Sequence, residues 1–290
     1  MWTVIQRHIR QATNSAFTVE NHCSIGGGSI NQAYRVSDGQ QHYFVKLNQA
    51  HKLAMFEAEA QGLQALWQTD TLRVPQPLCW GATSDHSYLV LEWLNLGPGS
   101  AQSWSEMGQQ LARLHRRVSD QGFGWHGQNT IGDTPQVNPW TEDWGQFFAN
   151  HRIGYQVQLA QRRGGHFAQT TVLMERLSAL LNRHSPQPAL VHGDLWSGNA
   201  AFDREGQPVI FDPAVYYGDR EVDLAMSELF GGFPRSFYQG YEREFPLVPG
   251  YEQRKICYNL YHILNHFNLF GGGYGSQAQQ MITQILAMTV

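Results

Sequence analysis

The fold of this chain is decided by the stretch Leu190-Val191-His192-Gly193-Asp194-Leu195-Trp196-Ser197-Gly198-Asn199, which is followed by the apolar run Val209-Ile210-Phe211 and then by Asp212. An Asp, an Asn five residues later and a second Asp that ends the next apolar run form a pattern typical of phosphotransferases. In such enzymes one carboxylate receives the proton of the attacking hydroxyl, and the other two groups hold Mg²⁺ against the nucleotide phosphates. The pattern therefore predicts Asp194 as the proton acceptor, with Asn199 and Asp212 as Mg²⁺ ligands.

The composition is that of an ordinary globular chain. Its 290 residues can form one large core or two smaller ones, which favours two lobes with a cleft between them. A net charge of -4 leaves no excess of basic residues for a nucleic acid or an anionic membrane surface, so neither partner is expected. The amino terminus lacks the apolar core of a signal peptide, and no stretch approaches a membrane span. The three cysteines, Cys23, Cys79 and Cys257, have no metal-ligand spacing, and a reducing cytoplasm is the expected compartment.

A glycine loop and a lysine form a candidate phosphate site early in the chain. Gly26-Gly27-Gly28 lies between two runs with strand character, and glycines let backbone amides approach an anion without obstruction by Cβ. An Asp38-Gly39 turn follows, and the next strand-like run places Lys46 among apolar residues. A lysine at this position suits contact with the phosphates of ATP. A flexible hairpin turn and an exposed strand-end lysine remain the alternatives.

The expected partner of Lys46 is a carboxylate on the helix that follows. Residues 52–68 have helical periodicity, with one apolar face made of Leu53, Phe56, Ala60, Leu63 and Trp67. At about 100° per residue, Glu59 lies close to this face, whereas Glu57 points further toward solvent. We therefore predict Glu59 as the ion-pair partner and Glu57 as a solvated residue.

A buried strand that runs into a turn predicts the connector between two lobes. The strand-like run 88–94 precedes Gly97-Pro98-Gly99-Ser100, and connectors of this kind offer backbone groups to an adenine ring. Glu92, Trp93 and Leu94 are the adenine-contact candidates, and an ordinary edge strand is the alternative. The predicted division is an amino-terminal nucleotide-binding lobe (1–91), a hinge (92–97) and a carboxy-terminal catalytic and substrate-binding lobe (98–290).

The other segments are interpreted mainly as scaffold. Ser103-Trp104-Ser105-Glu106 has the pattern of a capping box that opens a helix, and His115 on that helix is expected to be structural. Residues 119–150 are rich in Gly, Asn, Pro and aromatics, and packing is the expected role of most of these rings. Asp223 is expected to cap or brace the catalytic loop.

Several motifs together resemble the fructosamine kinase family, also called ketosamine 3-kinases. The motifs are HGDLWSGN (192–199), FDPA (211–214), YYGDREVDLAM (216–226), NTIG (129–132) and TPQ (134–136). The resemblance extends from the glycine loop to about residue 272. The Trp-Ser pair inside the first motif and the Tyr-Gly-Asp-Arg-Glu run separate it from the related aminoglycoside and choline kinases.

The resemblance implies a protein-kinase-like, two-lobed α+β fold, with a small antiparallel sheet in the amino-terminal lobe and a larger, mainly helical carboxy-terminal lobe. It implies Mg²⁺- and ATP-dependent phosphorylation of the sugar 3-hydroxyl of ketosamines, which are ribulosamine, erythrulosamine or fructosamine adducts of amines or protein lysines, with a role in deglycation. Trp196 and Asp219 are assigned to the substrate side. Some relatives carry Cys where this chain has Ser29, so a redox switch through an intermolecular disulfide is not expected there.

Two alternatives remain at this point. A related small-molecule kinase, acting on an aminoglycoside, choline or another sugar, would use the same catalytic set with a different acceptor wall. A nucleotide-binding pseudokinase would act as a regulator without turnover, although the presence of Asp194, Asn199 and Asp212 argues against it. The expected partners are small-molecule ketosamines and glycated proteins, and the expected state is a monomer or weak dimer.

Overall fold

The computed structural model describes residues 1–26 and 30–289. Gly27, Gly28 and Ser29 therefore lie outside the described residues, as does Val290. In the described part of the chain, a five-stranded antiparallel sheet with two helices forms an amino-terminal lobe, and a larger, mainly helical lobe follows. The prediction of an α+β fold with this division of strands and helices is confirmed.

The amino-terminal lobe is built on a sheet with the strand order β1-β2-β3-β5-β4. The strands are β1 (Asn21–Ile25), β2 (Gln32–Ser37), β3 (His42–Gln49), β4 (Pro77–Ala82) and β5 (His86–Glu92). Helix α1 (Trp2–Thr13) packs on this sheet, because Ile5 and Ile9, one helical turn apart, are both fully buried. These side chains belong to a small core of their own, completed by Phe17, Val36, Val45, Leu47, Tyr88 and Val90.

Helix α2 (Leu53–Trp67) connects this sheet with the larger lobe. It follows β3 after one 3₁₀ turn (Ala50–Lys52). Phe56, Ala60 and Leu63 are fully buried, as the helical periodicity predicts. Trp67 departs from the prediction, because its side chain is 53% exposed and Leu66 takes the buried position in the last turn.

The larger lobe consists of helices around one extended core, with short two-stranded ladders that hold the loops. The helices are α3 (Ala101–Leu114), α4 (Trp144–Phe147), α5 (Tyr155–Arg162), α6 (Thr170–His184), α7 (Glu221–Leu229), α8 (Arg235–Glu244), α9 (Tyr251–Phe270) and α10 (Tyr274–Ala287). The ladders pair β6 (Asn129–Ile131) with β7 (Thr134–Gln136), β8 (Ala189–Val191) with β11 (Tyr216–Gly218), and β9 (Ala200–Phe202) with β10 (Pro208–Ile210). Within residues 1–26 and 30–289, none of the helices combines the length and apolar character that crossing a membrane requires.

The connection between the lobes runs from the end of β5 to the start of α3. Gly97 exchanges two backbone hydrogen bonds with Phe202, at 2.7 and 3.2 Å, which ties this segment to the larger lobe. Helix α3 is capped by Ser100, whose hydroxyl accepts the backbone N–H of Ser103 at 3.1 Å. The predicted capping box at Ser103 was wrong, because Ser103 is the donor inside the first turn. The boundaries 1–91, 92–97 and 98–290 stay a prediction.

The aromatic segment around residues 119–150 serves packing, as predicted for most of its rings. Trp144, Phe147 and Phe148 are each at most 2% exposed and lie in the core of the larger lobe. A π-helical segment (Phe148–Gly154) joins α4 to α5 and carries Arg152, which is fully buried.

One buried histidine, His262, should make the free energy of unfolding depend on pH. Burial, with a smaller effect of His266, lowers the pKa of His262 from 6.5 to about 3. The unfolded chain therefore binds a proton below pH 6.5 that the folded protein excludes, so stability is full above that pH and falls as the pH drops. The loss is about 1.4 kcal/mol per pH unit.

We expect His262→Leu to remove this contribution. Between pH 7.5 and 5.5, the free energy of unfolding should fall about 1.4 kcal/mol less in the variant than in the wild type, measured by urea denaturation. His51→Gln, at an exposed position, controls for the loss of a histidine. Equal pH dependence in the wild type and His262→Leu would contradict the assignment.

Candidate active site

The catalytic loop closes on itself between β8 and β9. The chain leaves β8, passes Asp194 and makes a 3₁₀ turn (Ser197–Asn199). The side-chain amide of Asn199 donates to the backbone carbonyl oxygen of Asp194 at 2.8 Å and to its Oδ2 at 3.3 Å. The five-residue spacing in the sequence is therefore the span of one tight loop.

The environment of Asp194 adjusts its basicity. Burial, and after it the negative charge of Asp212, raises the pKa of Asp194 to about 7, while the hydrogen bond from Asn199 opposes this rise. A carboxylate whose pKa lies near neutrality accepts a proton more readily than an ordinary aspartate does. Asp194 therefore has the properties of a proton acceptor, and its position depends on Asn199.

Lys46 joins the two lobes. Its Nζ lies 2.6 Å from Glu59 Oε1 on α2 and 2.6 Å from Oδ1 of Asp212, which is 166 residues later in the chain. Lys46 is only 5% exposed. Burial alone would lower its pKa, but the charges of Asp212 and Glu59 outweigh burial, and its pKa lies above the ordinary value. The structure thus brings the lysine of one lobe and the second aspartate of the other into direct contact.

The choice of Glu59 over Glu57 as the lysine's partner is confirmed. Glu59 is the acceptor of the ion pair, whereas the part of the chain that the structure describes contains no ion pair of Glu57. Burial raises the pKa of Glu59, and the charge of Lys46 opposes that rise.

The pair of glutamates provides a matched test on one helix. We expect Glu59→Gln to raise the KM for MgATP about tenfold, because a hydrogen bond to a charged group contributes about 1.5–3 kcal/mol. Glu57→Gln should leave this KM unchanged. Steady-state kinetics with varied MgATP measures both, and equal effects of the two substitutions would contradict the assignment.

Asp223 braces the backbone of the catalytic loop, as predicted. Its two carboxylate oxygens accept the backbone N–H groups of His192 and Gly193, at 2.7 and 2.8 Å. His115 Nε2 lies 3.1 Å from the same carboxylate, and its Nδ1 lies 2.8 Å from the hydroxyl of Tyr241. Burial alone would raise the pKa of Asp223, but these partners lower it. His115 is therefore a structural residue, which confirms that prediction as well.

His192 couples the loop to the strand that precedes Asp212. Its Nε2 is 3.0 Å from the carbonyl oxygen of Phe211, and its own carbonyl oxygen accepts the backbone N–H of Ala214 at 2.8 Å. The backbone N–H of Phe211 donates to the carbonyl oxygen of Asn199 at 3.1 Å. The spacing between Asp194 and Asp212 is thus fixed by two main-chain hydrogen bonds and by the imidazole of His192. The sequence identified this histidine only as part of a motif.

The predicted nucleotide contacts in the glycine loop and the connector lie only partly within the described residues. Gly26 is exposed and follows β1 directly, while Gly27 and Gly28 lie outside the described residues. Trp93 and Leu94 follow β5 outside any strand, and both are half-buried. The Glu92 carboxylate is paired with Arg73 at 2.6 Å, and its backbone N–H donates to the carbonyl oxygen of Gln76 at 2.9 Å. Contacts of these residues with a nucleotide stay a prediction.

An aromatic row lies beside the catalytic loop. The ring of Trp196 meets Phe230 edge-on at 6.2 Å, and Phe230 lies 4.7 Å from the ring of His266 on α9. His266 in turn contacts Phe270 and Tyr274, at 5.6 and 5.1 Å. Sequence reasoning selected only Trp196, because the other rings come from distant elements and have no common spacing.

Asp219 does not lie with these residues. Its side chain is fully buried, and its carboxylate accepts hydrogen bonds from the Tyr258 hydroxyl and from the backbone N–H of Glu221, at 2.5 and 3.0 Å. His184 Nε2 lies 3.1 Å away. The assignment of Asp219 to the substrate side does not fit this placement, since the carboxylate is closed off from solvent and fully engaged in the core.

The two proposed metal-binding residues, Asn199 and Asp212, offer a suitable donor set. The amide nitrogen of Asn199 donates to Asp194, and Oδ1 of Asp212 accepts a hydrogen bond from Lys46. Between residues described in the structure, no hydrogen bond is donated to Asn199 Oδ1 or Asp212 Oδ2. Oxygen ligands of this kind match the preference of Mg²⁺. These residues therefore fit a magnesium ion.

The chain matches one protein family along nearly its whole length. A family profile described as "Fructosamine kinase" matches residues 1–288. The protein named "Probable ketoamine kinase slr1563" from Synechocystis sp. is 59% identical over 285 residues, which cover 98% of this chain and 97% of that protein. The chloroplastic protein-ribulosamine 3-kinase of Arabidopsis thaliana is 43% identical over 270 residues, covering 91% and 82% of the two chains.

Solved structures agree with this assignment. The crystal structure of a fructosamine-3-kinase family protein from Haemophilus somnus 129PT superposes with a TM-score of 0.94 at 32% identity, covering 99% of this chain and 98% of that one. A ternary complex of the aminoglycoside phosphotransferase APH(4)-Ia with AMP-PNP and hygromycin B gives a TM-score of 0.65 at 16% identity, covering 98% and 99%. The second likeness shows the fold alone.

Proposed function

Because the chain belongs to the fructosamine kinase family, we propose that it transfers the γ-phosphoryl group of ATP to the sugar 3-hydroxyl of ketosamines. The observation that carries the proposal is the convergence of Lys46, Asp212 and Asp194 at one site, in a chain whose relatives are named as ketoamine and ribulosamine kinases. The acceptors are ribulosamines, erythrulosamines or fructosamines, free or on protein lysines. The biological result would be deglycation.

Asp194 has the central role in the transfer. The 3-hydroxyl oxygen forms a bond to the γ-phosphorus while the bond from that phosphorus to the β,γ-bridging oxygen breaks, so ADP leaves. The hydroxyl proton passes to the Asp194 carboxylate. No covalent enzyme intermediate is needed, because phosphoryl transfer depends on positioning and charge neutralisation.

The remaining residues bind and orient the nucleotide. Lys46, held by Glu59, would contact the phosphates, and Gly26, Gly27 and Gly28 would cover them. Asn199 and Asp212 would bind Mg²⁺, which neutralises phosphate charge when bound. The backbone at Trp93 and Leu94 would contact adenine.

Trp196 and the aromatic row beside it form the proposed acceptor wall. Sugars present apolar C–H faces that aromatic rings cover well. The row begins two residues after Asp194 and continues through Phe230 and His266. An acceptor stacked on Trp196 would therefore lie next to the carboxylate that receives its proton.

A substrate panel tests the proposal against its alternatives. ATP consumption is measured with ribulosyl-, erythrulosyl- and fructosyl-lysine, and with an aminoglycoside and choline, for the wild type and for Asp194→Asn. Turnover of the ketosamines alone, lost in the variant, is the expected result. Preference for an aminoglycoside or choline would indicate a related small-molecule kinase, and nucleotide binding without turnover of any acceptor would indicate a pseudokinase.

A further inference from the structure

The backbone at Asp212 is held in an unfavourable conformation. Its φ angle is 56°, in the left-handed region that a residue with a side chain seldom adopts. Such a conformation persists only where the surroundings determine it. Asp212 binds Lys46 and lies near Asp194. The contacts that hold residues 213–216 therefore also hold the Asp212 carboxylate in the site.

Two buried amide side chains hold the segment immediately after Asp212. Gln136 Nε2 donates to the carbonyl oxygen of Ala214 at 3.0 Å, and Asn129 Nδ2 donates to that of Val215 at 2.7 Å. Gln136 Nε2 also donates to Asn129 Oδ1 at 2.9 Å, so the two amides support each other. Both belong to the β6–β7 hairpin, whose sequence motifs pointed to the family but had no chemical role.

A buried arginine sets the orientation of these amides. Arg152 Nη2 donates to Asn138 Oδ1 at 2.7 Å, and Asn138 Nδ2 donates to Asn129 Oδ1 at 2.9 Å. A guanidinium group has donors only, so it fixes which end of Asn138 faces it, and Asn138 in turn fixes Asn129. The nitrogen of Asn129 is then left to donate to Val215. We call Arg152, Asn138, Asn129 and Gln136 the amide chain.

The placement of Arg152 is unusual for a structural residue. It is fully buried, and no carboxylate within the described ranges forms an ion pair with it. Its guanidinium carbon lies 4.1 Å from the ring centre of Tyr216 and 4.6 Å from that of Phe147. Desolvating an unpaired charge is costly, so a purely apolar or neutral residue would serve packing alone better.

We infer that the amide chain positions Asp212 for MgATP binding, and that Gln136 and Arg152 are positioning residues of the kinase site. The inference rests on the proposed function, since it assigns MgATP to Lys46 and Asp212. The same segment also packs against α2, where a Cβ added to Gly62 would lie 3.0 Å from Val215 and 3.7 Å from Pro213. Residues 213–215 are thus in contact both with the helix that carries Glu59 and with the amide chain.

Two buried glutamines provide a matched test. Gln136 is 1% exposed and contacts the segment after Asp212. Gln156 is fully buried, and its side-chain amide bonds to Asn265 and Asn268 on α9 at 3.2 and 2.7 Å, with no hydrogen bond to residues 213–216 in the described part of the chain. Replacement of either by Met removes a buried amide of the same size. If Gln136 contributes only to stability, the two substitutions should have similar effects on the affinity for MgATP.

We expect Gln136→Met to raise the Kd and KM for MgATP about tenfold or more, as loss of an outer partner of a metal ligand typically does. The KM for the ketosamine should stay nearly constant. Gln156→Met should change neither constant, even if it lowers the melting temperature equally. If Gln136→Met does not fold, Gln136→Glu retains the side-chain size but, when ionised, has no N–H to donate to Ala214.

The readouts separate this inference from the proposed function. MgATP binding is measured by calorimetry, and kinetics follow with ribulosyl-lysine. Equal changes of MgATP affinity in Gln136→Met and Gln156→Met would overturn the positioning role alone. An absence of MgATP binding in the wild type would overturn the proposed function, and the inference with it. A selective loss of MgATP affinity in Gln136→Met establishes the positioning role.

Discussion

Asp194→Asn is expected to lower kcat by about 10²–10⁴-fold, the range typical for loss of a positioned base. The amide has nearly the shape of the carboxylate but cannot accept the hydroxyl proton. The loop should remain closed, because its 2.8 Å hydrogen bond from Asn199 goes to the backbone carbonyl of residue 194. Affinity for MgATP should be nearly unchanged, since the substitution removes a charge that repels Asp212 and leaves Lys46 in place.

Single-turnover kinetics and MgATP binding test this expectation together. Asp203→Asn is a suitable control, because Asp203 lies in the next hairpin and its carboxylate accepts backbone N–H groups of its own turn. Full activity in Asp194→Asn would exclude a mechanism in which the Asp194 carboxylate accepts the hydroxyl proton. A loss of MgATP binding without a change in the chemical step would assign Asp194 to nucleotide binding.

Asp212→Asn should produce the complementary pattern. Its carboxylate is both the partner of Lys46 at 2.6 Å and a proposed Mg²⁺ ligand, and the substitution removes the charge from both roles. We expect kcat/KM for MgATP to fall by about 10²–10³-fold, the effect of losing one strong electrostatic contact in an active site. Most of the loss should appear in the Kd for MgATP and in the Mg²⁺ concentration needed for half-maximal activity.

The protein itself should remain folded in this variant. Lys46 keeps Glu59 as a charged partner at 2.6 Å, and the side chain of Asp212 is 48% exposed. Thermal unfolding of the variant controls for stability. Unchanged MgATP affinity together with a large loss of kcat would contradict the assignment of Asp212 as the metal-binding residue. Asp194→Asn should lower kcat with little change in MgATP affinity, whereas Asp212→Asn should mainly lower MgATP affinity, so the two variants test the assignments together.

Much of the site followed from short-range sequence patterns. The Asp194 to Asn199 spacing predicts one tight loop, because five residues cannot extend far before the next strand begins. The choice of Glu59 over Glu57 depended on helical periodicity, which is a local property of α2. Asp223 was assigned as a brace rather than a substrate contact, and its two backbone hydrogen bonds agree with this.

Other assignments failed where burial and partners decide the role of a residue. Asp219 belongs to the same motif as Asp223, but its carboxylate is enclosed by Tyr258 and His184. Ser100, three residues before the predicted capping box, caps α3. A motif records which side chains occur together in the chain, and it does not record which of them faces solvent.

The sequence by itself determined the family, the class of fold and the chemistry available at residues 194, 199 and 212, since these depend on residue type and local spacing. Only the tertiary structure decided which groups meet: Lys46 with Asp212 across 166 residues, the aromatic row beside Trp196, and the amide chain from Arg152 to the segment after Asp212. The physical reason is that periodicity predicts the face a side chain occupies, whereas a buried polar group finds its partner through packing of distant elements.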